Sequence, residues 1–114
     1  MNDCIFCKII SGEIPSERIY EDDDMIVIKD INPQAPVHLL MIPKEHYADV
    51  TCLDGNRAAA LGRCLAKVKD IAGAIPQLKD GFRLINNKGE SAGQTVSHMH
   101  VHILGGAYIG DKLI

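Results

Sequence analysis

Three of the chain's five histidines alternate with apolar residues in the segment SHMHVHILGG, residues 97–106. On a helix His98, His100 and His102 would point in different directions, whereas residues two apart line one face of a strand. The apolar residues between them would then form the opposite face and pack on a core. The spacing therefore predicts a half-buried strand that presents three imidazoles in a row and breaks at Gly105.

Three kinds of chemistry fit such a row of imidazoles. It can be a polar strand face with no task, a three-histidine metal site, or a catalytic group in which one imidazole is a nucleophile and another orients it. The concentration of histidines on one face disfavours the first reading. The thiols of Cys4 and Cys7 would compete as metal ligands, which disfavours the second, so catalysis is the preferred hypothesis.

The loop NNKGESAGQT leads directly into the histidine segment. Its residues Asn87, Gly93, Gln94 and Thr95 supply flexible backbone, free N–H groups and side-chain donors, which together can cradle a phosphate. The reference pKa of histidine, about 6.5, leaves an adjacent imidazole largely neutral at pH 7. The sequence thus predicts phosphate donors beside a histidine nucleophile.

Short strand patterns precede this region. RIYEDDDMIVIKD predicts two strands around a solvated acidic turn at Asp22–Asp24, and VHLLMIP predicts a third strand closed by Pro43. GFRLI predicts a fourth strand, and IFCKIISGEIP a short helical turn before Gly12.

One long helix is predicted after Asp54 and ended by Pro76. Its apolar residues recur at intervals of three and four: Leu61, Cys64, Leu65, Val68, Ile71, Ala72 and Ile75. Cys64 is expected in the core, whereas Cys52 is left unassigned. Hairpin-linked strands with one long helix indicate an α+β domain with a mainly antiparallel sheet.

Size and composition indicate one globular domain over residues 1–114, with 46% hydrophobic and 24% charged residues. The net charge of −3 leaves no basic surplus for bulk nucleic acid, although a single nucleotide is not excluded. No apolar run is long enough to span a membrane, and MNDCIFCKII lacks the pattern of a signal peptide. We therefore expect a cytoplasmic protein whose four cysteines are thiols or metal ligands.

The segment GQTVSHMHVHILGG resembles the alternating histidine signature of the histidine triad (HIT) superfamily, and DINPQAPVHLLMIPKEH with IFCKIISGEIP resembles its Hint branch. The resemblance implies a five-stranded, mainly antiparallel sheet with one long and one short helix, extended across a homodimer. It also implies hydrolysis of purine nucleoside phosphoramidates or related nucleotidyl esters through a nucleotidyl-histidine intermediate.

Roles for single residues follow from the same resemblance. His100 matches the nucleophile, and His102 and His38 match the residues that orient it and contact phosphate. Asn87, Gly93 and Thr95 match the phosphate loop, where the family usually has serine at the last position. Asp30 matches the ribose-binding carboxylate, and Phe6, Ile28 and Ile31 match the walls of a purine slot. Read without the family, Asp30 caps a turn and the three apolar residues belong to the core.

Cys4 and Cys7 form half of a structural zinc site, which needs four ligands. The resemblance completes it with His46 and His98, and the alternative is a reduced thiol pair without metal. Two rival functions stay open: a dinucleoside polyphosphate hydrolase or nucleotidyl transferase, and a zinc-containing nucleotide-binding module without turnover. The chain also lacks the tryptophan that some Hint members carry in their tail.

Overall fold

The computed structural model describes residues 3–111. Its helices are α1 (Ile5–Ile10), α2 (Gly55–Ala66) and α3 (Val68–Gly73), and its strands are β1 (Arg18–Glu21), β2 (Met25–Lys29), β3 (Val37–Pro43), β4 (Phe82–Ile85) and β5 (Val101–Gly105). Short 3-10 turns lie at Val50–Cys52, Pro76–Leu78 and Glu90–Ala92. Of the domain predicted over 1–114, residues 1–2 and 112–114 lie outside the described part.

The five strands form one antiparallel sheet in the order β1-β2-β3-β5-β4. The α+β class predicted from the sequence is confirmed. Each predicted hairpin strand is present, and the acidic turn joins β1 to β2. Asp22 closes that turn by accepting hydrogen bonds from the backbone N–H groups of Asp24 and Met25.

The two faces of the sheet pack against different helices. Alternate residues such as Val27, Leu39 and Ile103 pack against α2 and α3 in the main core. The opposite face carries Ile28 and Leu40, and α1 covers it. His38 pairs with Leu104 and His102 with Leu40, so both histidines lie on the α1 face as diagonal neighbours. Helix α1 is thus the one that packs on the histidine side of the sheet.

The predicted long helix is two consecutive helices separated at Lys67. The backbone N–H of Lys67 donates to Cys64 and Leu65, a tightened turn that ends α2. The expected buried face holds for Cys64, Val68, Ile71 and Ala72. It fails for Leu65, which is 42% exposed on α2.

The predicted histidine strand is wrong in its extent, because β5 begins at Val101 and leaves His98 and His100 in irregular backbone. The ladder between β3 and β5 stops at the pair Met41–Val101. Pro43 comes two residues later in β3 and has no N–H to donate to a ladder. Beyond that pair, Met99 donates its N–H to the carbonyl of Tyr47 instead. The break after the apolar run is confirmed, since β5 ends at Gly105.

Within residues 3–111, none of the helices has the length and apolar character needed to cross a bilayer.

Candidate active site and metal site

His98 is fully buried and points away from the row of imidazoles that its spacing predicted. Its Nε2 lies 2.7 Å from the carbonyl oxygen of Pro43, and a carbonyl only accepts, so Nε2 carries the ring proton. The lone pair is then on Nδ1. This atom lies 3.4 Å from Cys4 Sγ, 3.5 Å from Cys7 Sγ and 3.0 Å from His46 Nδ1.

The four side chains form a metal-binding group in which all ligand atoms lie within 4.8 Å of one another. Around a tetrahedral zinc ion with the usual bond lengths, neighbouring sulfur and nitrogen ligands are about 3.3 to 3.8 Å apart. The distances given above, with 3.3 Å between Cys7 Sγ and His46 Nδ1, are close to that range. The hydrogen bond to Pro43 orients His98 as the outer partners of metal-bound histidines do. The group can therefore hold a metal ion, and its members are the four residues that the family resemblance implied as ligands: Cys4, Cys7, His46 and His98.

His100 is buried and fixed by one short hydrogen bond. Its Nδ1 lies 2.7 Å from the carbonyl oxygen of His98, so Nδ1 donates the proton. The lone pair of the neutral ring is consequently on Nε2. An imidazole in this tautomer presents an oriented nucleophilic or basic nitrogen.

The ring of Phe6, on α1, contacts both His98 of the metal group and the neighbouring His100. Both contacts are edge-on, with centroids 5.9 and 5.1 Å away. The His100 ring also lies 5.1 Å from that of His102. Two of the three imidazoles thus stay adjacent, while the third belongs to the metal group.

His38 and His102 form a hydrogen-bonded pair with a defined proton order. The backbone N–H of Gln34 donates to His38 Nδ1 at 3.0 Å, which places the proton of the neutral His38 ring on Nε2. That nitrogen is 2.9 Å from His102 Nδ1 and 3.4 Å from the Asp30 carboxylate. His102 Nδ1 accepts, so His102 carries its own proton on Nε2.

Burial keeps these histidines neutral. It lowers the pKa of His102 to about 4, and the neighbouring rings of His100 and His38 add to the effect. Burial also lowers the pKa of His38, although the charge of Asp30 opposes the shift. For His98 burial again lowers the pKa, against the hydrogen bond to Pro43. These three lowered pKa values favour neutral rings for His38, His98 and His102 near pH 7.

Asp30 caps a turn, which is one of the two roles that the sequence left open, and it also faces His38. One carboxylate oxygen accepts the N–H of Asn32 at 2.8 Å and caps the turn after β2, while the other faces His38. Ile28 is in the core beside Phe6, whereas Ile31 is fully exposed on that turn. Of the three apolar residues predicted to line a slot, two are thus packed together and one faces solvent.

The predicted phosphate loop is tied down by Gln94. Its side-chain oxygen accepts the N–H of Gly89 at 2.7 Å, and its NH2 group donates to the carbonyls of Ala48 and Val96. Gly93 has φ of 90°, a left-handed conformation that glycine adopts without strain. Asn87 is half-buried and Thr95 is exposed on the same loop.

Asn86 is a site residue that the sequence reasoning missed. Its side-chain NH2 donates to the carbonyl oxygen of His100 at 2.9 Å and lies 3.4 Å from Met99 Sδ. Nothing in its sequence context separates it from an ordinary loop asparagine. Only the end of β4 at Ile85, one residue earlier, brings it beside the irregular segment before β5.

The protein is a small α+β domain in which an oriented cluster of imidazoles lies beside a Cys/His group that can bind a metal. The HIT domain family model matches residues 11–108. Protein HitA of Neisseria gonorrhoeae is 47% identical over 105 residues, covering 92% of this chain and 97% of that protein. The purine nucleoside phosphoramidase of Escherichia coli K12 is 42% identical over 109 residues, covering 96% and 92%.

A solved structure agrees with these sequence matches. The HIT family hydrolase from Clostridium thermocellum superposes with a TM-score of 0.94 at 46% identity, covering 100% of this chain and 99% of that one. The chain belongs to the HIT family.

Proposed function

We propose that the protein is a nucleotidyl hydrolase that cleaves purine nucleoside phosphoramidates or related nucleotidyl esters. The observation that carries the proposal is the tautomer of His100, whose Nδ1–H is held by the His98 carbonyl so that Nε2 bears the lone pair. A relative with 42% identity over nearly the whole chain is a purine nucleoside phosphoramidase. The two facts support the same reaction class.

In the proposed reaction His100 Nε2 bonds to the α-phosphorus while the bond from phosphorus to the leaving amine breaks. Water then attacks phosphorus, the bond to His100 breaks, and the nucleoside monophosphate is released; the proton that the water loses replaces the one that the leaving amine took up in the first step. Covalent catalysis of this kind divides one displacement into two easier ones. His102, with its proton on Nε2, is the group that donates to a phosphoryl oxygen or to the leaving nitrogen.

The remaining assignments complete a nucleotide site. His38 and Asp30 fix the tautomer of His102, and Asp30 is also proposed to accept hydrogen bonds from the ribose. Asn87, Gly93 and Thr95 are proposed to bind phosphate, with Gln94 holding their loop and contacting the same anion through its backbone. Phe6, Ile28 and Ile31 are proposed to contact the purine.

The metal group is proposed to bind zinc, whose usual structural ligands are thiolates and imidazoles. Zinc would join α1, through Cys4 and Cys7, to the loops that carry His46 and His98. Purified protein should contain about one zinc per chain. A metal-free preparation whose melting temperature does not rise on zinc addition would contradict a stabilising site.

The proposal also covers the cellular compartment and the partners of the protein. The four cysteines, all of them within residues 3–111, form no disulfide, which suits a reducing cytoplasm. A homodimer joined at a sheet edge is proposed as well, and its test is given in the Discussion. The net charge of −3 leaves no basic surplus, so bulk nucleic acid is not proposed as a partner.

Substitution of the nucleophile tests the function. We expect His100→Asn to bind adenosine monophosphate with nearly unchanged affinity and to lose turnover of an adenosine phosphoramidate by several orders of magnitude. Rapid acid quench of the wild type should trap a nucleotide on His100. Wild-type turnover in the variant, or an adduct on His38 or His102, would falsify the assignment.

A second substrate separates the rival functions. The wild type should turn over the phosphoramidate faster than a dinucleoside polyphosphate. The reverse preference would identify the polyphosphate hydrolase. Nucleotide binding without turnover of either substrate would identify a binding module.

A further inference from the structure

The metal group and the proposed nucleophile share one residue, His98. Its ring nitrogen Nδ1 is a ligand atom of the metal group, while its backbone carbonyl accepts the hydrogen bond from His100 Nδ1. Both atoms belong to the same residue, which is fully buried. Because His98 is fully buried, its ring cannot be displaced far without moving its backbone, so a displacement of the ring also displaces the carbonyl that sets the tautomer of His100.

Helix α1 provides a second connection. Cys4 caps its first turn and Cys7 lies within it, and Phe6 between them packs edge-on against His100. A helix of six residues is too short to be stable by itself. Its position over the sheet thus depends on its packing against the sheet and on the interactions of Cys4 and Cys7 in the metal group.

No regular ladder compensates for loss of these contacts. His98 and His100 precede β5 and lie outside its pairing with β3. Isolated hydrogen bonds hold the segment instead, among them those from Met99 N–H to Tyr47, from Asn86 to the His100 carbonyl and from the His98 ring to Pro43. The pair of imidazole nitrogens at 3.0 Å in the metal group needs a cation or a proton between them.

We propose that metal binding at Cys4, Cys7, His46 and His98 positions the proposed nucleophile His100, so that occupancy of the metal group controls kcat. This inference rests on the proposed function for its kinetic part only. His98 is a positioning residue, acting through His100, and the metal takes no part in the chemical step. Loss of the metal should free the His98 ring, lengthen its carbonyl's hydrogen bond to His100 and allow the other tautomer.

His46 is the ligand to change, because it is exposed and its truncation leaves no cavity in the core. We expect His46→Ala to lose metal and to lower kcat for an adenosine phosphoramidate by about tenfold or more. KM should change less than about threefold, since the substitution removes none of the hydrogen bonds of Asp30 or of Gln94, which holds the phosphate loop. His46→Cys, which makes a three-thiolate, one-imidazole zinc site, should restore both metal and kcat. Glu45→Ala, an exposed change one residue away, is the matched control.

Histidine-selective nitrogen NMR supplies a readout that does not depend on turnover. In zinc-loaded wild type His100 should show one tautomer with a protected Nδ1–H. After chelation the signal should broaden or report a mixture of tautomers, and zinc should reverse the change. Chelated wild type also provides the metal-free state if His46→Ala keeps its metal.

Unchanged kcat and an unchanged His100 signal in metal-free protein would overturn the proposal. Loss of dispersion throughout the sheet on chelation would also overturn it, because the effect would then be general unfolding. If loaded wild type shows no turnover while the His100 signal still follows the metal, the proposed function fails and the coupling stands.

Discussion

At the scale of single residues, the position of His100 depends on two backbone carbonyls. The His98 carbonyl fixes its ring, and its own carbonyl accepts from Asn86. Both contacts replace the ladder hydrogen bonds that a longer β5 would have supplied. The imidazole of the proposed nucleophile is thus held by side-chain and carbonyl contacts on irregular backbone, which single substitutions can remove.

Asn86→Ala removes one of these contacts. A hydrogen bond of this kind contributes about 1 kcal/mol, so we expect kcat to fall about fivefold to tenfold with little change in KM. Asn56→Ala, at an exposed position on α2, is the matched control. An equal loss in both variants, or a change confined to KM, would contradict a positioning role for Asn86.

The buried neutral state of His102 predicts how stability depends on pH. Its pKa is about 4 in the folded protein and near 6.5 when unfolded, so the unfolded state binds more protons between these values. Its contribution to stability is complete above about pH 6.5 and is lost as the pH falls toward 4. We expect the free energy of unfolding to fall from pH 7.5 to 5 by about 1 to 2 kcal/mol more in wild type than in His102→Gln. Urea unfolding of both proteins measures this, and equal slopes would contradict it.

At the scale of elements, the loop between β4 and β5 has a rigid frame despite its glycines. Gln94 ties Gly89 to Ala48 and Val96 by three hydrogen bonds. This arrangement gives the amide side chain a structural task and leaves the proposed phosphate binding to the backbone and to neighbouring residues. The sequence showed the donors of this loop but not which of them are used internally.

Gln94→Ala separates the two roles. If its side chain supports the loop, the variant should lose about 1 to 2 kcal/mol of stability without nucleotide and bind adenosine monophosphate more weakly. Gln77→Ala, an exposed glutamine in a 3-10 turn, should change neither property. Weaker binding at unchanged stability would instead indicate a direct contact of the side chain with phosphate.

How much of the architecture the sequence predicts depends on the range of the forces involved. Alternating apolar residues gave the strands, and periodic ones gave the buried face of α2 and α3, because both patterns are local. The early end of the histidine strand depends on Pro43, which is far away in the chain, and the break at Lys67 occurs without a proline or glycine at that position that would predict it. The motif Cys4-x-x-Cys7 indicated half of the metal group, whereas its histidines required the family resemblance. Asn86 gave no local signal at all.

At the scale of the whole molecule, the sheet has two edges of different character. β1 carries Arg18 and Glu21, which pair with each other, and charged side chains discourage edge-to-edge association. β4 exposes the apolar side chains of Phe82 and Leu84, 40% and 41% exposed, on one of its faces. The β4 edge is therefore the one proposed to pair with a second copy of the chain. The exposed alanines 58 and 59 on α2 offer a smaller apolar surface.

We predict that the wild type sediments as a dimer of about 25 kDa at micromolar concentration, twice the 12.5 kDa of one chain. Leu84→Lys should give the monomer, because a charge at the centre of a paired apolar edge would have to lose its hydration. Leu65→Lys is the control, since Leu65 is exposed to nearly the same extent, 42%, but lies on α2. Sedimentation velocity of the three proteins decides the matter. A monomeric wild type would refute the dimer, and dissociation by Leu65→Lys rather than Leu84→Lys would place the interface on α2 instead of β4.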